Sequence, residues 1–319
     1  MALAIEAIGA MVMSLRFIPQ FGFGRGIFYS LFHAVSAFCN AGFDLMGNYA
    51  SLTSFQKDPL VLLTISLLIV LGGLGFSVIL ECLHLKRFQR LTLHTRLVLV
   101  ITVLLLLGGT LGVALFEWRN PATLGVANLS SAERLLNAWF QSVTMRTAGF
   151  NSIDLASMTD ASKLLSVLLM FIGAAPASTG GGVKVTTLGV ILCVVFSVIR
   201  GREHITVFKR RLAQDLARRA IAILFLSLAI LIGGSMALTL FEQGRIDFLD
   251  LLFEAASAFA TVGVTSAGTP QLTAGSQALL IPMMFFGRVG PLTLALALAH
   301  RQEQQKDLIT FPEEKIMIG

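Results

Sequence analysis

Apolar residues in this chain fall in long continuous runs, not in strict alternation. The runs cover residues 3–17, 59–83, 97–116, 164–199, 217–241 and 278–299. A helix needs roughly 20 apolar residues to cross a bilayer, and run 59–83, at 25 residues, has enough to do so with some tilt. Run 164–199 is too long for one span, and a Gly-rich polar stretch divides it. Between the runs lie three half-apolar segments, 27–38, 132–145 and 248–259. Each is too short to cross and is followed at once by small and polar residues that include glycine. This pattern predicts helices that enter the membrane and turn back. A β-barrel is disfavoured, because barrels need short alternating strands and the apolar runs here are long and continuous.

Composition agrees. Hydrophobic residues make up 55% of the 319 and charged residues 13%, and the mean hydropathy is +0.80. A soluble domain carries roughly 25% charged residues, so an ordinary cytosolic enzyme and a disordered chain are both excluded. The net charge of +6 is read as orientation and not as a nucleic-acid footprint. Bases crowd residues 84–96 (Lys86, Arg87, Arg90, Arg96) and 200–219, whereas 117–134 and 242–250 are balanced or acidic. The positive-inside rule puts the basic stretches and the C-terminus in the cytoplasm, so all three short segments enter from outside. Cys39, Cys82 and Cys193 form neither a CxxC pair nor a disulfide framework. Glu6 interrupts the first run, and Arg16 and Arg25 follow it, which does not fit a signal peptide.

The ends of the short segments form an internal repeat. Cys39-Asn40-Ala41-Gly42-Phe43, Arg146-Thr147-Ala148-Gly149-Phe150 and Ala260-Thr261-Val262-Gly263-Val264 align on their glycines, which are 107 and 114 residues apart. Counted back from each glycine, Phe32, Trp139 and Phe253 fall in register. A helix that ends at mid-membrane turns its negative dipole end toward a cation. The residues after it offer peptide oxygens, and glycine allows the dihedrals that aim them at a common axis. Rings of such loops replace an ion's hydration shell, and Thr261-Val262-Gly263-Val264 is similar to the TVGYG loops of potassium channels. Ordinary packed loops between tilted helices are the alternative.

With these loops, the run Gly173-Ala174-Ala175-Pro176-Ala177-Ser178-Thr179-Gly180-Gly181-Gly182-Val183-Lys184, the segment Phe286-Gly287-Arg288-Val289-Gly290-Pro291 and the tail at 311–319, the chain resembles the Trk/Ktr/HKT superfamily of potassium transporters. It is most similar to the membrane subunits of bacterial Ktr systems. The resemblance implies an all-α polytopic membrane protein of helix–pore loop–helix repeats around a pseudo-fourfold pore. Three repeats of an expected four are present: 1–83 (the second of the family's four), 84–200 with a broken last helix, and 201–300, before a cytoplasmic tail at 301–319. From the repeat period, roughly 110 to 130 residues are expected to be missing before residue 1. The implied activity is potassium uptake across the bacterial cytoplasmic (inner) membrane. The implied filter residues are Cys39, Asn40, Ala41, Gly42, Arg146, Thr147, Ala148, Gly149, Ala260, Thr261, Val262 and Gly263, holding K+ through their carbonyls. The implied gate comprises Ser178, Thr179, Gly180, Gly181, Gly182, Lys184 and Arg288. The resemblance further implies a homodimer in the lipid bilayer, a cytosolic RCK-type nucleotide-binding regulatory ring, sodium as a candidate activator, no organic cofactor in this chain and no nucleic-acid partner.

The residues support parts of this directly. Lys184 ends the Gly-rich interruption, which predicts a broken helix with an unwound loop at membrane depth; a loop leaving the membrane is the alternative. The P-loop pattern fails because Val183 precedes that lysine. Arg288 lies among Phe285, Phe286 and Val289, where an arginine must either face the bundle interior or snorkel to the surface. Arg146 and Glu254 on the short segments are expected to pair with groups around the loops. His33, His84, His94, His204 and His300 have no metal spacing, and Gly108–Gly112 reads as close helix packing. A non-conducting fragment or assembly subunit, and a broken-helix transporter for another cation, are the competing readings. No nucleophile–base–orienter set supports an enzyme.

Overall fold

Helix starts in this chain are written in short polar residues ahead of each apolar run. In a computed structural model the described residues are 1–85, 88–202, 204–208 and 210–290. Expectations resting on Lys86, Arg87, Glu203, Lys209 or residues 291–319 (His300 and the tail among them) lie outside the described residues. Asp58 caps α3 (Pro59–Leu74) by accepting from Leu60 N and Val61 N at 3.0 and 3.3 Å, with Pro59 at the first helical position. Thr92 caps α5 (Leu93–Glu117), and Ser130 with Glu133 makes a capping box for α6 (Ser131–Thr144). Thr159 and Thr273 cap α7 (Asp160–Phe171) and α11 (Ala274–Val289). The remaining helices are α1 (Ala2–Phe21), α2 (Phe23–Phe38), α4 (Phe76–His84), α8 (Val185–Ile199), α9 (Gln214–Glu242) and α10 (Phe248–Phe259). A two-residue hairpin, β1 (Thr206–Val207) with β2 (Arg210–Arg211), precedes α9.

Among the described residues, α1, α5 and α9 are long and apolar enough to cross a bilayer. Leu104, Leu107, Leu111 and Leu115 are exposed along one face of α5, as are Phe225, Ile232, Met236 and Leu240 on α9. A soluble protein does not leave apolar stripes of this kind in water. The cores lie at the junctions between consecutive units. Phe17, Phe38 and Ile65 pack with Phe140 and Phe150, and Met145 and Phe171 pack with Phe253 and Phe259.

One span differs from expectation. The run at 59–83 is not a single tilted helix: α3 and α4 meet at Gly75 with a 98° bend. Gly75 has φ 86°, and a Cβ there would lie 2.7 Å from Pro176 O. The bend follows from that close approach, because hydropathy along the run is uninterrupted. In the last run α11 reaches Val289, Gly290 follows with φ 93°, and the remainder of that run lies outside the described residues.

In each of the second and third units a buried acid ties the end of one helix to the start of another. Glu117, at the end of α5, accepts from Thr159 N (2.9 Å) and Thr159 Oγ1 (2.7 Å) at the start of α7. Its other oxygen takes Asn120 Nδ2 (2.7 Å) and Thr123 Oγ1 (2.5 Å). Glu242, at the end of α9, serves Thr273 N and Oγ1 (both 2.8 Å) and Ser276 Oγ (2.6 Å) in the same way. Both are fully buried, and each places negative charge on a helix N-terminus. In the first unit the charges are exchanged: Asp58 is itself the cap and Arg16 of α1 pairs with it at 3.1 Å. Glu117→Ala leaves several buried donors without an acceptor. It is expected to destabilise the protein by about 3 kcal/mol. A thermal melt in detergent should show a clear fall in Tm, and an unchanged Tm would remove the strut role.

Candidate ion-conduction site

The three loops have the same backbone. Helices α2, α6 and α10 end, and the residue two before each glycine turns left-handed: Asn40 (φ 50°), Thr147 (φ 69°) and Thr261 (φ 53°). The glycines follow at φ 70°, 97° and 90° for Gly42, Gly149 and Gly263. Non-glycine residues rarely adopt positive φ, so three matched instances mark a specified geometry. The loops are brought together. A Cβ on Gly42 would lie 2.7 Å from Gly149 Cα, and one on Gly149 would meet Gly42 Cα at 2.9 Å and also Val262 O. All three glycines line one vestibule of about 470 Å³, which Asp44 and Asp154 border. Cys39 and Ala260 still have helical dihedrals, so the chain leaves the helix at the left-handed residue after each.

Side chains that the sequence reading passed over hold the loops. Ser36 Oγ donates to Phe43 O (2.7 Å), Thr144 Oγ1 to Phe150 O (2.6 Å) and Ser257 Oγ to Val264 O (2.6 Å). Each hydroxyl lies five or six residues before its glycine and grips the carbonyl just after it. The shared hydroxyl in the repeat alignment was the available signal. One turn earlier, His33, Gln141 and Glu254 occupy equivalent positions. His33 Nε2 accepts from Leu45 N (3.4 Å), while its Nδ1 donates to Tyr29 O (2.7 Å). Glu254 accepts from Ser266 N (3.2 Å), Ala267 N (3.3 Å), Thr269 Oγ1 (3.0 Å) and Thr265 Oγ1. Gln141 reaches Met158 Sδ at 3.7 Å. Nothing in the composition of these three residues announces a common role, and only their register does.

The Gly-rich segment between α7 and α8 lies against the loops carrying Thr147 and Thr261. A Cβ on Gly180 would run into Thr147 Oγ1, and one on Gly181 into Thr261 Oγ1 and, at 2.5 Å, Ala260 O. Both threonine hydroxyls lack a hydrogen-bond partner among the described residues. The segment is fastened along its length. Ala175 N donates to Gly73 O (3.0 Å), Thr179 Oγ1 to Phe38 O (3.2 Å) and Ser178 Oγ to Ala175 O (2.5 Å). Gly182 (φ 68°) turns the chain so that Val183 N reaches Phe171 O at 3.0 Å. Three cations point at its carbonyls: Arg146 Nη2 donates to Gly173 O (3.0 Å), Lys184 Nζ to Gly180 O (2.8 Å) and Arg288 Nη1 to Thr179 O (2.7 Å). The expected gate residues are therefore adjacent in space, and Arg146 turns from the loop that carries it toward the segment beneath. Glu6, on α1, lies 4.0 Å from Cys39 Sγ. No cluster of metal-ligating side chains occurs among the described residues.

The sequence matches the family described as TrkH, cation transport protein, over residues 2–308. It is 41% identical over 318 residues to the Ktr system potassium uptake protein B of Bacillus subtilis, covering 100% of this chain and 69% of that protein. It is 40% identical over 322 residues to the potassium/sodium uptake protein NtpJ of Enterococcus hirae, covering 100% of this chain and 70% of that protein. The fold is similar to the crystal structure of the potassium transporter TrkH from Vibrio parahaemolyticus. The TM-score is 0.72 at 21% identity, over 93% of this chain and 62% of that one.

Proposed function

Because the chain belongs to the TrkH family of cation transport proteins, we propose that it carries potassium across the bacterial cytoplasmic membrane through a filter of peptide oxygens. The observation that carries this reading is the convergence of three loops with one backbone signature around a common vestibule. In this reading the units 1–83, 84–200 and 201–300 each supply one loop. Carbonyls of Asn40–Gly42, Thr147–Gly149 and Thr261–Gly263 replace water around the ion, and the free hydroxyls of Thr147 and Thr261 mark its inner end. Asp44 and Asp154 raise the local cation concentration at the mouth. The segment at 178–182 closes the path below, held by Lys184 and Arg288. The basic stretches face the cytoplasm together: Phe88 and Phe208, one from each, meet edge to face at 6.3 Å. A homodimer docked on a cytosolic nucleotide-binding ring completes the proposed assembly, the basic face being its contact.

Flux of 86Rb+ into potassium-loaded vesicles containing the protein tests the reading. Uptake above that of empty vesicles, blocked by external K+ more than by external Na+, is expected. Uptake equal to that of empty vesicles would refute it. The hydroxyl braces make a finer test. Ser257→Ala frees Val264 O and loosens one loop, so the K+ over Na+ preference should fall several-fold while protein yield is kept. An unchanged preference would separate the braces from selectivity.

A further inference from the structure

Helices α5, α8 and α9 leave a groove of about 410 Å³ at the end of the bundle where the basic stretches lie. Its walls are aliphatic: Leu97, Val190, Leu216 and Ile223. At its rim are two exposed groups, His94 and Arg219. No hydrogen bond or ion pair engages Arg219 among the described residues, although Asp215 lies one helical turn away on α9. Among the described residues, no acid lines the groove. Arg90, Arg96, Arg210, Arg211 and Arg218 belong to the same two stretches and outnumber the neighbouring acids, Asp215 and Glu81, the second of which accepts from Thr92 and Thr95.

An apolar cleft of ligand size under a basic rim is complementary to one molecule that a bilayer supplies in quantity. We propose that this groove binds an anionic phospholipid, its acyl chain between α5, α8 and α9 and its phosphate on Arg219 and His94. A zwitterionic lipid offers the same chain but has no net charge for that rim. A soluble phosphate compound would satisfy the rim but leave the aliphatic walls uncovered. The site is distinct from the conduction path, and its test does not depend on transport.

The protein is purified in detergent doped with equal amounts of phosphatidylglycerol and phosphatidylcholine, and retained lipids are counted by native mass spectrometry. One phosphatidylglycerol per chain, in preference to phosphatidylcholine, is expected. Arg219→Gln should lower the glycerol-to-choline ratio about fivefold, the effect of one interfacial cation, and Arg219→Lys should keep it. Val190→Trp fills the groove and should reduce retention of both lipids. Equal retention of the two lipids, a ratio unmoved by Arg219→Gln, or a groove taken by a protein segment with no lipid retained would each overturn the proposal.

Discussion

Gly149→Ala is expected to abolish potassium uptake. Gly149 holds φ 97°, which an alanine adopts only with strain. The added methyl also has nowhere to go: it meets Val262 O from the third loop and, at 2.9 Å, Gly42 Cα from the first. Those neighbours are backbone, so they cannot swing aside as a flexible side chain would. Relief must come from moving one loop against another, and a shift of a few tenths of an ångström alters every oxygen facing the ion. Gly42→Ala should behave similarly, since its methyl would lie 2.5 Å from Ala148 O. Gly108→Ala is the control. Gly108 is a helical glycine facing open space, where alanine improves helix propensity. Growth of a potassium-uptake-deficient bacterium on limiting K+, normalised to protein in the membrane, should fall at least about tenfold for Gly149→Ala and stay unchanged for Gly108→Ala. Uptake within twofold of the unaltered protein in Gly149→Ala would mean that the three loops do not form the ion's coordination shell.

Much of this arrangement can be read from the chain because a bilayer imposes few solutions. Long apolar runs, three short segments ending in small residues and the Lys/Arg bias specify the helices and their repeat. What escaped has a shared physical character: it depends on contacts between residues far apart in sequence. The bend at Gly75 is imposed by Pro176, about a hundred residues later, and leaves no mark in hydropathy. Glu117 and Glu242 look like ordinary acids at span ends until Thr159 and Thr273 are brought to them. The Ser36, Thr144 and Ser257 braces lay within the aligned repeat, but a helical serine is usually unremarkable, and only the carbonyl it grips gives it a role. The partners of Arg146 could not be named from sequence, because Gly173 O is freed for bonding only where α7 breaks. Periodicity reports which residues face lipid, whereas the polar bonds inside the bundle are set by how the units close on one another.

The proposed gate offers the second large effect, and it separates two roles for one charge. Arg288 and Lys184 hold consecutive carbonyls, Thr179 O and Gly180 O. Hydrogen bonds from charged donors contribute roughly 1.5–3 kcal/mol each, so losing one should raise the open-to-closed ratio by about tenfold or more. Arg288→Gln is therefore expected to increase flux. Simple repulsion predicts the same sign, because a cation near the path opposes K+. Removing residues 178–182 distinguishes the two. If Arg288 acts by clamping the segment, the deletion alone gives at least the flux of Arg288→Gln, and adding Arg288→Gln to the deletion changes nothing further. If Arg288 acts by its field, the two changes add, since the charge opposes the ion whether or not the segment is present. Lys184→Met follows the same logic from the next carbonyl, and because the two clamps share one short segment, the pair should be less than additive. The clamp thus predicts a double-mutant cycle in which the deletion masks both cations. Flux that rises by the same factor with and without the segment would assign Arg288 to the electrostatics of the path instead of to the gate.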